Sequence, residues 1–507
     1  MQHLVQKEKQ KMKNCKPIHL NLDPGPEYDT KFRFWQGCPT ILRTKGGRLY
    51  AAWYSGGVGE PDLENYNLLI RSDDDGWTWT EPIVTVASEP DQGFVAIDIQ
   101  LWLDPLHRMW MFITQRYLKD NMQITDHDHL ALWATVCNDP DAEILQWQEP
   151  RFISQGFLRT QPTVLSNGDW VLCAYDWSSP NYRYSRSKDQ GKTWERCEGG
   201  KRAAILKKED SQFDETMILE RSDHSLLMFA RDRSGLIAQS TCKNFGCAEW
   251  TPGEFTSLPG ANSRFFLHRL KSGRVLLLHN NSQTLRTNLC AKLSEDDGMT
   301  WKYSLHLDSA ITPEFGTVSY PDAVQSDDGR IFIIYDCGRN TTKEIRMAQI
   351  TEEDIINGNI CDYSSYLGRI INKAPGQPYD QTLFDKKMQI VQNGWMIYFS
   401  PCTVFIKIKT DNIELRKINH AEFNSFSRYK SRRSDFDPFL FEYIIPLWRN
   451  IHSHRCRRTG HCPACAARLQ KLTSQCSSTE SHAYRPYWRS PCPCDQYYQI
   501  SDRKSYH

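Results

Sequence analysis

One eight-residue pattern constrains this chain more than any other. Ser187-Lys188-Asp189-Gln190-Gly191-Lys192-Thr193-Trp194 reads S-x-D-x-G-x-T-W. The pattern recurs at Ser72, Asp74, Gly76, Thr78 and Trp79, and again at Ser294, Asp296, Gly298, Thr300 and Trp301. Ser and Asp side chains bond nearby backbone groups, and Gly takes the positive φ that other residues resist, so each copy specifies a locked hairpin turn. Trp then covers the turn with a large apolar face. Three copies at wide intervals predict a repeat architecture.

The segments between the boxes repeat a unit: a strand, a Gly or Asp turn, an apolar strand, a loop, and a third strand running into a box or its remnant. Unit one runs through Pro39-Thr40-Ile41-Leu42 and Leu49 to Tyr54 into the first box. Unit two begins at Ala96-Ile97-Asp98 and keeps only Trp147 of its box. Unit three begins at Gln161 and ends in the second intact box. Unit four begins at Asp214-Glu215-Thr216-Met217 and ends near Trp250. Unit five begins at Ser263-Arg264 and ends in the third box. Unit six begins at Ser319-Tyr320-Pro321-Asp322 and continues to Ile350. Six units of short alternating strands match four-stranded propeller blades, an arrangement that leaves few unpaired strand edges.

The repeated box is the Asp-box, or BNR repeat, and the chain resembles the sialidase superfamily. The resemblance runs over roughly residues 33 to 376 and all six units. It implies an all-β fold, a six-bladed β-propeller, followed by a largely irregular C-terminal extension. The expected layout is a mobile leader over 1–30, the propeller over 31–376 and a basic Cys/His-rich tail over 377–507. Thr351-Glu352-Glu353-Asp354 predicts a short helix capped by Thr and closed by Gly358, and Tyr366 to Ile371 a last strand that closes the ring.

The totals narrow the function. Lys and Arg number 62 against 61 Asp and Glu, which argues against nucleic acid or a membrane surface as partner. The tail is the exception, with 20 basic against 11 acidic residues from Gln377 onward. Abundant Trp and Tyr suit a β-rich protein that binds sugars. Eight cysteines between Cys38 and Cys337, several in apolar runs, read as free buried side chains. Cys462-Pro463-Ala464-Cys465 is a CxxC pair, but Cys492-Pro493-Cys494 has the wrong spacing to complete a zinc site, and no HExxH cluster suggests a catalytic metal. Met1 to Lys16 has no apolar signal region. The expected location is therefore cytoplasmic, with a secreted or periplasmic protein the alternative if the true start differs.

Strand order within a blade places the start of strand one, the end of strand two and the start of strand three on one face, and the boxes on the other. Polar residues at the first set of positions include Asp62, Glu64, Asp98, Glu215, Arg231, Arg264, Arg286, Tyr320 and Asp322. The family resemblance implies roles for them. Tyr320 resembles the nucleophile and Glu215 the Glu that takes its proton. Asp62 falls near the acid/base position, where Glu60 and Glu64 compete. Arg231 and Arg286 resemble carboxylate-binding arginines, and Arg264, Asp98 and Asp322 are further substrate-binding candidates. A neutral phenol can approach an anomeric carbon that bears its own carboxylate, and the planar guanidinium fork binds both carboxylate oxygens.

One departure stands out. The family's first Arg lies in an Arg-Ile-Pro motif opening blade one, where this chain reads Gly37-Cys38-Pro39; Arg33 is too early in register. Losing one of three charged clamps should weaken sialic acid binding by a few kcal/mol. The expectation is a sialidase-like exo-glycosidase acting on terminal sugars of glycans, acidic ones first with neutral ones left open, and with no cofactor and no metal. Its competitors are a glycan-binding propeller without catalysis and a polysaccharide lyase on the same scaffold.

Overall fold

The computed structural model describes residues 17–119, 123–124, 130–175, 179–203, 215–309 and 317–376, together with three strands between residues 396 and 416. The chain divides into two compact units, Met1–Tyr379 and Asp380–His507.

The first unit is a six-bladed β-propeller. Each blade is an antiparallel sheet whose strands follow one another in sequence from the axis outward. Blade one comprises Trp35–Arg43, Leu49–Gly56, Tyr66–Ser72 and Val84–Ala87; blade two Phe94–Leu103, Met109–Lys119, Leu130–Cys137 and Arg151–Gln155. Blade three comprises Thr163–Val164, Trp170–Leu172, Asn181–Ser187 and Glu195–Lys201; blade four Thr216–Glu220, Leu226–Ala230, Leu236–Cys242 and Glu254–Pro259. Blade five comprises Phe266–Arg269, Val275–Asn280, Leu289–Ser294 and Tyr303–Asp308; blade six Val318–Gln325, Ile331–Cys337, Glu344–Ile350 and Tyr366–Lys373.

The core lies between blades. Alternating residues of each strand face opposite neighbours, so the sheets are apolar on both sides. Leu42, Tyr50 and Leu69 of blade one meet Ile99, Met111 and Trp133 of blade two. Ile41, Trp53 and Leu68 point the other way, onto Phe332, Ile334 and Met347 of blade six. Ring closure therefore rests on side-chain packing between blades one and six. The strand Tyr366–Lys373, expected to close the ring, is instead the outer strand of blade six, paired to Glu344–Ile350.

The three boxes share their Ser, Asp, Gly and Thr bonds, and the first adds one from its Trp. In the first, Gly76 N donates to Ser72 Oγ at 2.9 Å, Thr78 N donates to Asp74 Oδ1 at 2.9 Å, and Trp79 Nε1 donates to Gly76 O at 3.1 Å. The equivalent Gly-to-Ser bonds are 2.8 Å at Gly191 and 2.9 Å at Gly298. Each box also ties its blade to the preceding one. Arg330 of blade six donates to Asp75 at 2.8 Å, Arg108 of blade two to Gln190 O at 3.2 Å, and Ser222 N of blade four to Asp297 at 3.1 Å. The intact boxes on blades one, three and five thus pair the six blades two by two.

Two expectations change in detail. Residues 17–30 are not part of a loose leader: Asn21 and Thr85 exchange two backbone bonds of 2.9 Å, and Ile18 is buried beside Val84 and Val86. The helix Glu352–Asn357 forms as expected, but with a full capping box, in which Asp354 N donates to Thr351 Oγ1 at 3.2 Å and Thr351 N to Asp354 Oδ2 at 2.8 Å. The eight cysteines from Cys38 to Cys337 are free, six of them buried, while Cys197 is half-buried and Cys247 exposed. In the second unit, Met396–Phe399, Val404–Lys409 and Asn412–Arg416 form a three-stranded antiparallel sheet, which includes the alternating run noted in the sequence. The CxxC pair lies outside the described residues.

A side chain on the box glycine of blade three has nowhere to go. A Cβ at Gly191, with φ of +80°, would lie 2.7 Å from the Trp110 ring and 2.9 Å from Trp170. Gly191→Ala is expected to destabilise the propeller by about 2–3 kcal/mol, through strain at positive φ and overpacking. Gly168, with φ of +88° and no atom within 4 Å, is the control: Gly168→Asn should leave the denaturant midpoint nearly unchanged. Equilibrium urea unfolding of both variants reads the difference.

Candidate active site

The inner strands of three blades break their ladders at the same level. Register shifts fall between Gly37 and Thr40 in blade one, Ala96 and Ile99 in blade two, and Ser319 and Asp322 in blade six. Cys38 and Tyr320 both have positive φ, 59° and 55°, and both precede proline. A non-glycine residue in this region is strained, and a residue before proline ordinarily stays extended. The bulge re-aims Tyr320 toward the hub, where its ring packs with Trp35, Cys38 and Tyr54.

Tyr320, Glu215 and Arg231 form a closed hydrogen-bonded triangle. The phenol donates to Glu215 Oε1 at 2.8 Å, and Arg231 Nη1 donates to the phenol oxygen and to Glu215 Oε2, each at 2.8 Å. All three side chains are buried. Burial is the largest influence on the phenol and holds its pKa above the ordinary value, against the pull of Arg231. Burial also opposes ionisation of Glu215, but Arg231 and Arg159 outweigh it and keep the carboxyl below its ordinary pKa. At neutral pH the pair is therefore a protonated phenol beside an ionised carboxylate.

Three more guanidinium groups surround the ring. The Cζ of Arg339 lies 4.1 Å from the Tyr320 ring centroid, that of Arg159 5.0 Å and that of Arg286 5.4 Å. Arg339 pairs with Glu60 at 2.7 Å and Asp336 at 2.9 Å, and its Nη2 donates to Ser319 Oγ at 3.3 Å. Arg159 pairs with Asp98. Arg286 Nη2 donates to Asn262 O at 3.0 Å, and no carboxylate among the described residues pairs with it. A Cβ at Gly37 would lie 2.6 Å from Arg339 Cδ and 3.0 Å from its Cγ. The absent arginine of blade one thus coincides with an arginine from blade six that occupies the space beside Gly37.

The expected site residues divide into two groups. Tyr320, Glu215, Arg231 and Arg286 come together, with Asp98 joined to them through Arg159. Asp62, Arg264 and Asp322 do not touch the triangle. Asp62 accepts from Val58 N at 3.3 Å and Glu64 N at 2.9 Å, folding its carboxylate into its own loop. Glu60, two residues earlier, is the acid of this loop that reaches the hub: it meets Arg339, and the Tyr54 hydroxyl donates to it. Arg264 and Asp322 pair at 3.2 Å below the triangle, both fully buried. Asp322 also accepts from Thr40 Oγ1 at 2.5 Å, Ile41 N at 3.2 Å and Gln100 Nε2 at 3.0 Å, so it holds inner strands together. Arg33 is buried too, donating to Tyr28 O and Asn372.

Sequence reasoning missed Arg339 and Arg159, and both obey the strand-end rule. Arg339 follows the second strand of blade six as Arg231 follows that of blade four, and Arg159 precedes the first strand of blade three. Cys38 is central too, but burial pushes its thiol far above the ordinary pKa and so disfavours the thiolate. Among the described residues no group of His, Cys, Asp or Glu is arranged to hold a metal ion. A cavity of about 950 Å³ lies at the other end of the axis, lined by Arg43, Asp104, Glu220, Arg269 and Asp327 rather than by the tyrosine cluster.

The model of the BNR repeat-like domain family matches residues 47–333. The chain belongs to this family. Solved structures with the same fold include the Hadza microbial sialidase Hz136, 19% identical, with a TM-score of 0.50 over 64% of this chain and 66% of that one. A Dyadobacter fermentans protein of unknown function is 18% identical, with a TM-score of 0.50 over 66% of this chain and 97% of its own. The leech intramolecular trans-sialidase is 15% identical, with a TM-score of 0.51 over 68% of this chain and 71% of its own. No curated protein sequence matches the chain. This BNR-repeat propeller therefore shares the sialidase fold at low identity, and the chain spans slightly under two thirds of the Hz136 chain.

Asp98 supplies a titration that stability can read. Burial, opposed by Arg159, raises its pKa from 3.8 to about 7. A carboxyl with a raised native pKa favours the folded state in its protonated form. That contribution is complete below 3.8 and is lost as pH rises through about 7. The Tm of the native chain relative to Asp98→Asn should therefore fall as pH rises from about 4 to about 8, a trend thermal scans across that range would register. A constant difference would mean that Asp98 does not titrate in this window.

Proposed function

We propose that this propeller is a glycoside hydrolase that releases terminal sugars through a tyrosine nucleophile. The observation that carries the reading is the Tyr320–Glu215–Arg231 triangle, with all three contacts at 2.8 Å. A phenol is a weak nucleophile until a base takes its proton, and Glu215 is ionised at the required distance. Arg231 donates to the same oxygen and stabilises the negative charge that develops there.

Two displacements follow. The Tyr320 oxygen attacks the anomeric carbon as its proton passes to Glu215, and the glycosidic bond breaks with a proton delivered to the departing oxygen. Water then attacks the tyrosyl-linked sugar, its proton is removed, and the phenol is restored from Glu215. Inversion twice over gives net retention. Glu60 takes the acid/base role in this scheme, in place of Asp62. Its side chain is 35% exposed while Glu215 and Asp98 are buried, and a leaving group departs toward solvent. Partial desolvation by the surrounding hub opposes ionisation of Glu60, but Arg339 and Arg159 overcome it and hold the carboxyl below its ordinary pKa. The group must be protonated to assist departure, so activity should be greatest on the acid side of neutrality.

Tyr320→Phe should lower kcat on aryl glycosides by on the order of 10³-fold while thermal unfolding stays close to that of the native chain. Glu60→Gln should spare aryl glycosides with good leaving groups and slow alkyl glycosides by roughly 10²-fold or more. Steady-state kinetics on both substrate types test the assignment; full activity in Tyr320→Phe would remove the nucleophile.

A further inference from the structure

We propose that the hub is built for a neutral sugar rather than an anionic one, an inference that rests on reading the Tyr320 cluster as a sugar site. The argument is which guanidinium donors remain unused. Arg231 Nη1 serves both Tyr320 and Glu215, and its Nε donates to Asn262 Oδ1 at 2.9 Å. Arg339 donates to Glu60 and Ser319 through Nη1 and Nη2, and its Nε lies 2.9 Å from Asp336 as an ion pair without hydrogen-bond geometry. Arg159 is paired with Asp98. Only Arg286 has no carboxylate partner among the described residues, and it already donates to Asn262 O.

Four guanidinium groups therefore face four carboxylates: Glu215, Glu60, Asp98 and Asp336. Gripping a substrate carboxylate with several arginines would mean drawing those arginines away from Glu215, Asp98 and Asp336, which are buried and would be left short of a partner, and from Glu60 at the rim. Even with a proton on Asp98, one guanidinium is left over, not three. A neutral sugar asks for no such exchange. Its hydroxyls are donors, and carboxylate oxygens are acceptors only. Beyond the Arg159 ion pair, neither oxygen of Asp98 has a hydrogen-bond partner among the described residues. Glu60 presents acceptor oxygens at the rim, and Arg286 keeps donors for hydroxyl or ring oxygens. Arg339 is the element that decides this, because it brings two carboxylates with it into the space beside Gly37.

The test uses the full-length protein against two sets of aryl glycosides: neutral hexosides, deoxyhexosides and pentofuranosides, and acidic sialosides and hexuronides. Calorimetry with the corresponding free monosaccharides runs in parallel. Turnover should be confined to neutral glycosides, with acidic ones at least about 100-fold slower. A sialoside or hexuronide hydrolysed as fast as the best neutral substrate would overturn the inference. If nothing is hydrolysed but a neutral monosaccharide binds, the hydrolase reading fails and the neutral site stands. If only acidic sugars bind, or none, the neutral site fails. Glu60→Gln supplies a second readout. It should free Arg339 and tighten binding of N-acetylneuraminate or glucuronate by roughly tenfold, the worth of one added charge-assisted hydrogen bond. Unchanged affinity would show that the Glu60 charge is not what excludes acids.

Discussion

The hub depends on one backbone irregularity. The bulge at Tyr320-Pro321 lets two residues close in sequence serve opposite ends of the same strand layer. Tyr320, at φ of 55°, turns up toward Glu215 and Arg231, while Asp322 turns into the axis to bind Thr40, Ile41, Gln100 and Arg264. A regular strand would put both side chains on one face. The strain at Tyr320 persists because the surrounding contacts fix it from both sides, a condition met where packing and hydrogen bonds over-determine the backbone.

The second constraint is charge compensation. Packing this many guanidinium groups around one aromatic ring is unfavourable unless each finds an acid or an aromatic face. The chain meets that requirement with residues from every blade. Glu60 comes from blade one, Asp98 from blade two, Arg159 from the approach to blade three, Glu215 and Arg231 from blade four, Arg286 from blade five, and Arg339 with Asp336 from blade six. The site consequently forms only when the ring is closed. Closure itself rests on apolar packing between blades one and six and on the boxes that tie successive blades in pairs. Chemistry and fold stability are thus joined at the same inner strands.

The blades and the box turns could be read from the sequence because their causes are local. Ser72, Asp74 and Gly76 bond one another within five residues, and alternating apolar strands betray their pairing by pattern alone. Tyr320, Glu215, Arg231 and Arg286 were legible too, since the up-and-down strand order dictates which ends share a face. Arg339 and Arg159 satisfy the same rule, but nothing near them in sequence marks an arginine that will meet a tyrosine.

What the amino-acid order settled by itself was therefore periodic: six blades, three locked turns, and the rim at which polar strand ends gather. What only the tertiary structure decided was pairing across blades. Asp62 and Glu60 differ by two positions in one loop, and the fold alone turns one into its own backbone and the other onto Arg339. Gly37 reads as a missing charge until the side chain of Arg339, about 300 residues later in the chain, is seen beside it. Hydrogen bonds and ion pairs act over a few ångströms, so partners this far apart in sequence leave no local trace of the contact they will make.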